Sequence, residues 1–83
     1  MKQSELRVLF ALQLGAEPYI QTHAPRLGQR VKVGHSLRTS AGVCRRLVTL
    51  GHAIETEQGP FLIWRIGLSG KRIKLRIQVV KND

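Results

Sequence analysis

Residues 38–51 read Arg38-Thr39-Ser40-Ala41-Gly42-Val43-Cys44-Arg45-Arg46-Leu47-Val48-Thr49-Leu50-Gly51. At about 100° per residue, Ala41, Val43, Cys44, Leu47, Val48 and Leu50 gather on one broad side, and Arg38, Gly42, Arg45 and Thr49 fall opposite them. The spacing predicts a single amphipathic helix over 38–51, stopped by Gly51 in the C-terminal position that favours glycine. Its apolar side demands a core. On the other side guanidiniums flank a glycine that adds no bulk, so the backbone can approach a polyanion closely, as a helix in the DNA major groove must.

Upstream of this stretch, Ser4 is placed to cap a helix over about 4–14, with Glu5 in its first turn and Gly15 at its stop. Leu6, Val8, Leu9, Phe10, Ala11, Leu12 and Leu14 cover most of that helix's circumference, so other elements must pack on more than one side of it. After Pro18, the β-prone pair Tyr19-Ile20 suits a short strand or extended connector. Thr22 and Pro25 then open a second helix over about 22–31. Gly28 sits inside that span, and Gln29-Arg30-Val31-Lys32-Val33 also alternates as a strand does, so a helix that ends early and turns extended before Gly34 is the competing reading. Gly34-His35-Ser36 is a turn in both.

Downstream, the period changes from 3.6 to 2. Residues 53–57 and 61–66 are extended runs around Gln58-Gly59-Pro60, the pattern of a β-hairpin. Beyond Gly67 and Gly70, Ile73, Leu75, Ile77 and Val79 alternate with Arg72, Lys74, Arg76 and Gln78, which predicts a further strand over about 71–80 with one greasy and one basic face. No linker or repeat divides the 83 residues, so 1–83 reads as one domain.

Fourteen Lys and Arg against five Asp and Glu give a formal charge of +9, which strains a compact chain unless an anion is bound. Nine of the fourteen cations are Arg, whose planar fork suits phosphate and guanine, so nucleic acid leads the possible partners. The single Cys44 cannot form an internal disulfide and lies on an apolar helix side, where a buried structural thiol is the ordinary role. No apolar run approaches the ~20 residues that cross a bilayer, and Glu5 and Arg7 interrupt what would otherwise mimic a leader, so the expectation is a cytoplasmic protein with no membrane contact. His23, His35 and His52 lack metal-ligand spacing. Glu55 and Glu57 are the only neighbouring carboxylates, and they are ordinary ladder positions on a strand. No glycine loop cradles a phosphate, and neither catalysis, a metal nor a cofactor is expected.

The order helix, short strand, helix, turn, helix, hairpin resembles a winged helix-turn-helix domain. Val43-Cys44-Arg45-Arg46-Leu47-Val48-Thr49-Leu50-Gly51-His52-Ala53-Ile54-Glu55 resembles the end of that family's recognition helix running into its first wing strand. Phe61-Leu62-Ile63-Trp64-Arg65-Ile66-Gly67-Leu68-Ser69-Gly70 is similar to the second wing strand and its closing turn, so the likeness spans 4–70. It implies an α+β winged helix-turn-helix fold with three helices and a C-terminal hairpin wing, to which the alternation after Gly70 adds a C-terminal strand in this chain. It also implies that the third helix enters the major groove of double-stranded DNA while the second helix and turn brace it on phosphate. Carried onto this chain, the contacting positions are Arg38, Thr39, Gly42, Arg45, Arg46 and Thr49, with Lys32 and His35 in the turn. Arg45 stands first for a base contact; Arg38 and Arg46 equally suit phosphates.

The chain departs from the pattern in its long, strand-like turn, in its uncharged wing tip Gln58-Gly59-Pro60, and in its tail, where many members place a helix. That tail either extends the sheet or pairs its edge with a second copy, making a homodimer. Sequence-specific duplex DNA binding in a small bacterial or phage-type transcriptional regulator is the function these features imply. The alternatives are an RNA-binding or ribosome-associated basic module and a winged-helix protein-interaction domain.

Overall fold

The computed structural model describes residues 1–74 of the chain. Among them run helix α1 (Gln3–Gln13), strands β1 (Tyr19–Ile20), β2 (Arg30–Lys32) and β3 (Arg38–Ser40), helix α2 (Ala41–Thr49), strands β4 (Ala53–Gln58) and β5 (Phe61–Ile66), and the short helix α3 (Leu68–Arg72). Two antiparallel sheets result, a three-stranded one in the order β1-β5-β4 and a two-stranded ribbon of β2 and β3. The molecule is a small α+β domain.

The first helix starts at Gln3, and Ser4 lies within its first turn. Lys2 precedes it, and the Glu5 carboxylate accepts the Lys2 backbone N–H at 3.1 Å, so the cap is carried by the acid. Both long helices end the same way: Gly15 and Gly51 donate to the carbonyls of Leu12 and Val48, and the following Ala16 and His52 donate to those of Ala11 and Leu47. Gly51 has φ +80°, a conformation costly for a side chain with a Cβ.

No helix forms over 22–31. The span has too little apolar surface to bury a helical stripe: Leu27 is 68% exposed, and Thr22 spends its hydroxyl on the Ala24 N–H two residues on. The alternation around Val31 prevails instead, and β2 pairs with β3 in the register Arg30↔Ser40, Val31↔Thr39, Lys32↔Arg38. The expected helix over 38–51 is correspondingly shorter at its start. Arg38 and Thr39 are extended in β3, and Ser40, with φ −99° and ψ 154°, caps α2 by accepting the Val43 N–H at 3.3 Å. Backbone carbonyls of Gln29 and Leu27 accept the N–H groups of Ala41 and Gly42, each at 2.8 Å, so the irregular segment before β2 closes the open end of α2.

The core has two lobes. Val8, Leu9, Leu12, Val33, Leu47 and Ala53 form one, and Ile20, Val31, Ala41, Cys44, Leu62 and Trp64 the other. Helix α2 lies between them, contributing Leu47 to the first and Ala41 and Cys44 to the second, with Val48 packed against both. Its apolar side is therefore the hinge of the whole core. Helix α1 is covered on the side of Val8, Leu9 and Leu12, while Leu14 stays 74% exposed.

The hairpin β4–β5 runs in one register from Ala53↔Ile66 to Gln58↔Phe61, and β1 adds to its far edge through Tyr19↔Ile63. Where a strand was expected from about 71, Lys71 and Arg72 belong to α3. The glycine at 70 lets this helix lie against the hairpin, because a Cβ there would fall inside contact distance of the His52 carbonyl oxygen and of Ile66. Gln13 holds α3 from across the fold, donating its side-chain N–H to the carbonyls of Gly70 and Ile73, both at 2.8 Å. The rest of that expected strand, 75–80, lies outside the described residues.

Candidate nucleic-acid interface

The residues expected to face nucleic acid divide into three groups. Thr39, Gly42 and Arg45 are occupied within the molecule. Thr39 is buried on the inner side of β3, opposite Val31. Gly42 packs on the segment before β2, where a Cβ would sit 3.1 Å from the Leu27 carbonyl oxygen. Its lack of a side chain lets the Leu27 carbonyl close the end of α2. Arg45 turns to the sheet: its Nε lies 3.3 Å from Glu55 Oε1, the oxygen that also accepts the Trp64 indole N–H at 2.9 Å. The contact is ionic, since the Nε–H is not aligned for a hydrogen bond.

The second group stays on α2. Arg46 and Thr49 are exposed, although the Thr49 hydroxyl donates to the Arg45 carbonyl at 3.1 Å, one turn back. The third group is the ribbon. Lys32 and Arg38 are exposed and directly opposed across β2 and β3, and His35 is exposed at the tip beyond them. The Leu37 carbonyl accepts the Val33 N–H at 2.9 Å and closes that tip.

Arg30 belongs with this third group and was missed by the sequence reading. Cross-strand partners share a face and alternate residues along a strand do too, so Arg30, Lys32 and Arg38 lie on one side of the ribbon, with Val31 and Thr39 on the other. The signal was the period-2 run Arg30-Val31-Lys32, which the expected helix had absorbed. Because Val31 is 1% exposed in the second lobe of the core, the outward direction of Arg30 and Lys32 is dictated by its burial.

Other chemistry-bearing groups have structural partners. Glu57 lies 3.6 Å from His23, and Arg65 Nε 3.5 Å from Glu17. Ser69 donates its hydroxyl to the Gly51 carbonyl, which leaves its oxygen to accept from His52 Nδ1 at 3.0 Å. Burial pushes the Cys44 thiol up to about 12; a backbone hydrogen bond opposes the rise and the Glu55 carboxylate adds to it. A thiol held neutral in this way is a packing group and no nucleophile at ordinary pH. Among the described residues no three His, Cys, Asp or Glu side chains converge on a possible metal position, and no helix is long and apolar enough to cross a membrane.

These elements define a small α+β domain carrying an outward basic ribbon. The chain matches no family model, no curated protein and no solved structure.

Proposed function

We propose that this chain binds double-stranded DNA sequence-specifically, as the winged-helix-type module of a small bacterial or phage-type transcriptional regulator working in the cytoplasm. One observation carries the reading: among the described residues only Arg45 and Arg65 of the Lys and Arg side chains reach a carboxylate, while Arg30, Lys32, Arg38 and Arg46 stand exposed without one. A chain that leaves so much like charge unneutralised gains stability from a polyanion. The order of elements adds to it, with α2 standing before the β4–β5 hairpin as a recognition helix stands before its wing, and with β1 joined to β5. An irregular segment leading into the ribbon stands where the second helix was expected, so the likeness is to the family's frame and not to its helix-turn-helix.

The test is fluorescence anisotropy of the full chain with a random labelled duplex and with a structured RNA of equal length, over a range of salt. The expected result is a preference for DNA, with log affinity falling against log salt at about −0.9 for each of ~4 to 6 phosphates. A flat salt dependence overturns the reading. Preference for the RNA transfers it to the RNA-binding alternative, because A-form RNA closes its major groove to a protein element.

A further inference from the structure

The three exposed cations of the ribbon sit in an arrangement that folding alone opposes. In the β2–β3 register Lys32 is directly opposite Arg38, and like charges at opposed positions destabilise a strand pair. Among the described residues no carboxylate relieves them: Glu17, Glu55 and Glu57 contact other basic side chains, and Glu5 accepts the Lys2 backbone N–H. Two neighbouring strands lie about 4.8 Å apart, and the DNA major groove is about 12 Å wide, so a two-stranded ribbon fits within it. The ribbon is also held rigidly from behind. Val31 and Thr39 are buried on its inner face, and the Ala41 N–H that follows β3 is fixed to the Gln29 carbonyl that precedes β2. Helix α2 offers less. Its Gly42 is covered by Leu27, its Arg45 is held by Glu55, and only Arg46 and Thr49 of the expected contacts remain exposed on it.

We propose that the β2–β3 ribbon, rather than α2, is the element that enters the DNA major groove, with Lys32 and Arg38 at base edges and Arg30 on flanking phosphate. This rests on the duplex-binding reading above and changes which part of the chain does the reading. Guanine, which presents two acceptors in the major groove, is the base these two donors suit. Arg46 then serves the backbone from the side of α2.

The experiment is equilibrium anisotropy of the full chain on a labelled random duplex at fixed low salt. It compares the double variant Lys32→Gln/Arg38→Gln with Arg46→Gln/Thr49→Ala. The ribbon variant is expected to lose at least about tenfold more affinity than the helix variant. Lys32→Glu separates binding from folding: it turns an opposed like-charge pair into an opposite-charge pair, so its melting temperature is expected to hold or rise while affinity falls about tenfold or more. A duplex whose pyrimidines carry bulky C5 substituents, filling the major groove, is expected to bind correspondingly less well. If the helix variant loses more, or if the groove-filled duplex binds as well as the plain one, the ribbon assignment is overturned while duplex binding stands. If the unaltered chain fails to bind any duplex, the reading beneath it is what has failed.

Discussion

The β4–β5 hairpin and the β2–β3 ribbon are both antiparallel pairs with one face in the core, yet they treat charge in opposite ways. Every close contact between a carboxylate and a basic side chain among the described residues ends on the hairpin: Glu55 lies against Arg45, Glu57 against His23, which is an ion pair only when the ring is protonated, and Arg65 against Glu17. The ribbon carries Arg30, Lys32 and Arg38 and makes no such contact among the described residues. If the chain binds DNA as proposed, this contrast separates a structural element from a binding one. The hairpin should therefore answer mutation with lost stability, and the ribbon with lost affinity. The largest effect is expected at Trp64, fully buried between α2 and the sheet. Trp64→Ala should cost about 3–5 kcal/mol by urea unfolding. In whatever fraction remains folded at low temperature, the duplex affinity should be close to that of the parent chain.

A smaller loss is expected at Glu55, which serves Trp64 and Arg45 through one oxygen. Glu55→Ala strands the buried indole N–H without an acceptor and should cost about 1–3 kcal/mol. Glu55→Gln keeps an acceptor in place and should recover most of that loss, while releasing Arg45. If the recovered variant binds duplex no better than the parent chain, Arg45 is confirmed as a brace of the hairpin. If instead affinity rises several-fold on releasing Arg45, α2 takes part in contact and the two elements do not divide stability from binding.

How much of this could be read from the chain depends on the distance over which each feature is decided. The apolar side of α2, the glycine stops at 15 and 51 and the hairpin at 53–66 are settled within a few residues of themselves, and each stands close to where periodicity put it. Trp64 is a similar case, since two-residue alternation within β5 puts it on one strand face with the buried Leu62. The ribbon is different. Strands of three residues carry almost no periodic signal, and Val31 becomes a strand residue only because Thr39 pairs with it across the tip. That same pairing pulls Arg38 and Thr39 off the start of the helix. Arg45 lies elsewhere than expected for a related reason. Helical spacing put Arg45 on an open face, but Glu55 reaches it from a strand that follows the turn, a partner that helix geometry alone does not contain. Helix α3 depends on Gln13, 57 residues before Gly70, and its sequence Leu68-Ser69-Gly70-Lys71-Arg72 has too few residues to advertise a helix.

The smallest effects carry the most direct information, because the two hairpins should give them opposite signs. Arg65 and Glu17 form an exposed pair, with side chains 43% and 56% accessible, so Arg65→Gln should lower stability by no more than ~0.5 kcal/mol. Lys32→Gln removes one member of an opposed like-charge pair and should raise stability by about 0.2–1 kcal/mol. Both differences, read from urea midpoints at low salt, should shrink towards zero near 1 M salt, where the screening length is about 3 Å. A ribbon whose neutralised variant is less stable than the parent at low salt would mean that its cations are already compensated within the fold. The charge left bare on β2 and β3 would then no longer distinguish that ribbon from the hairpin behind it.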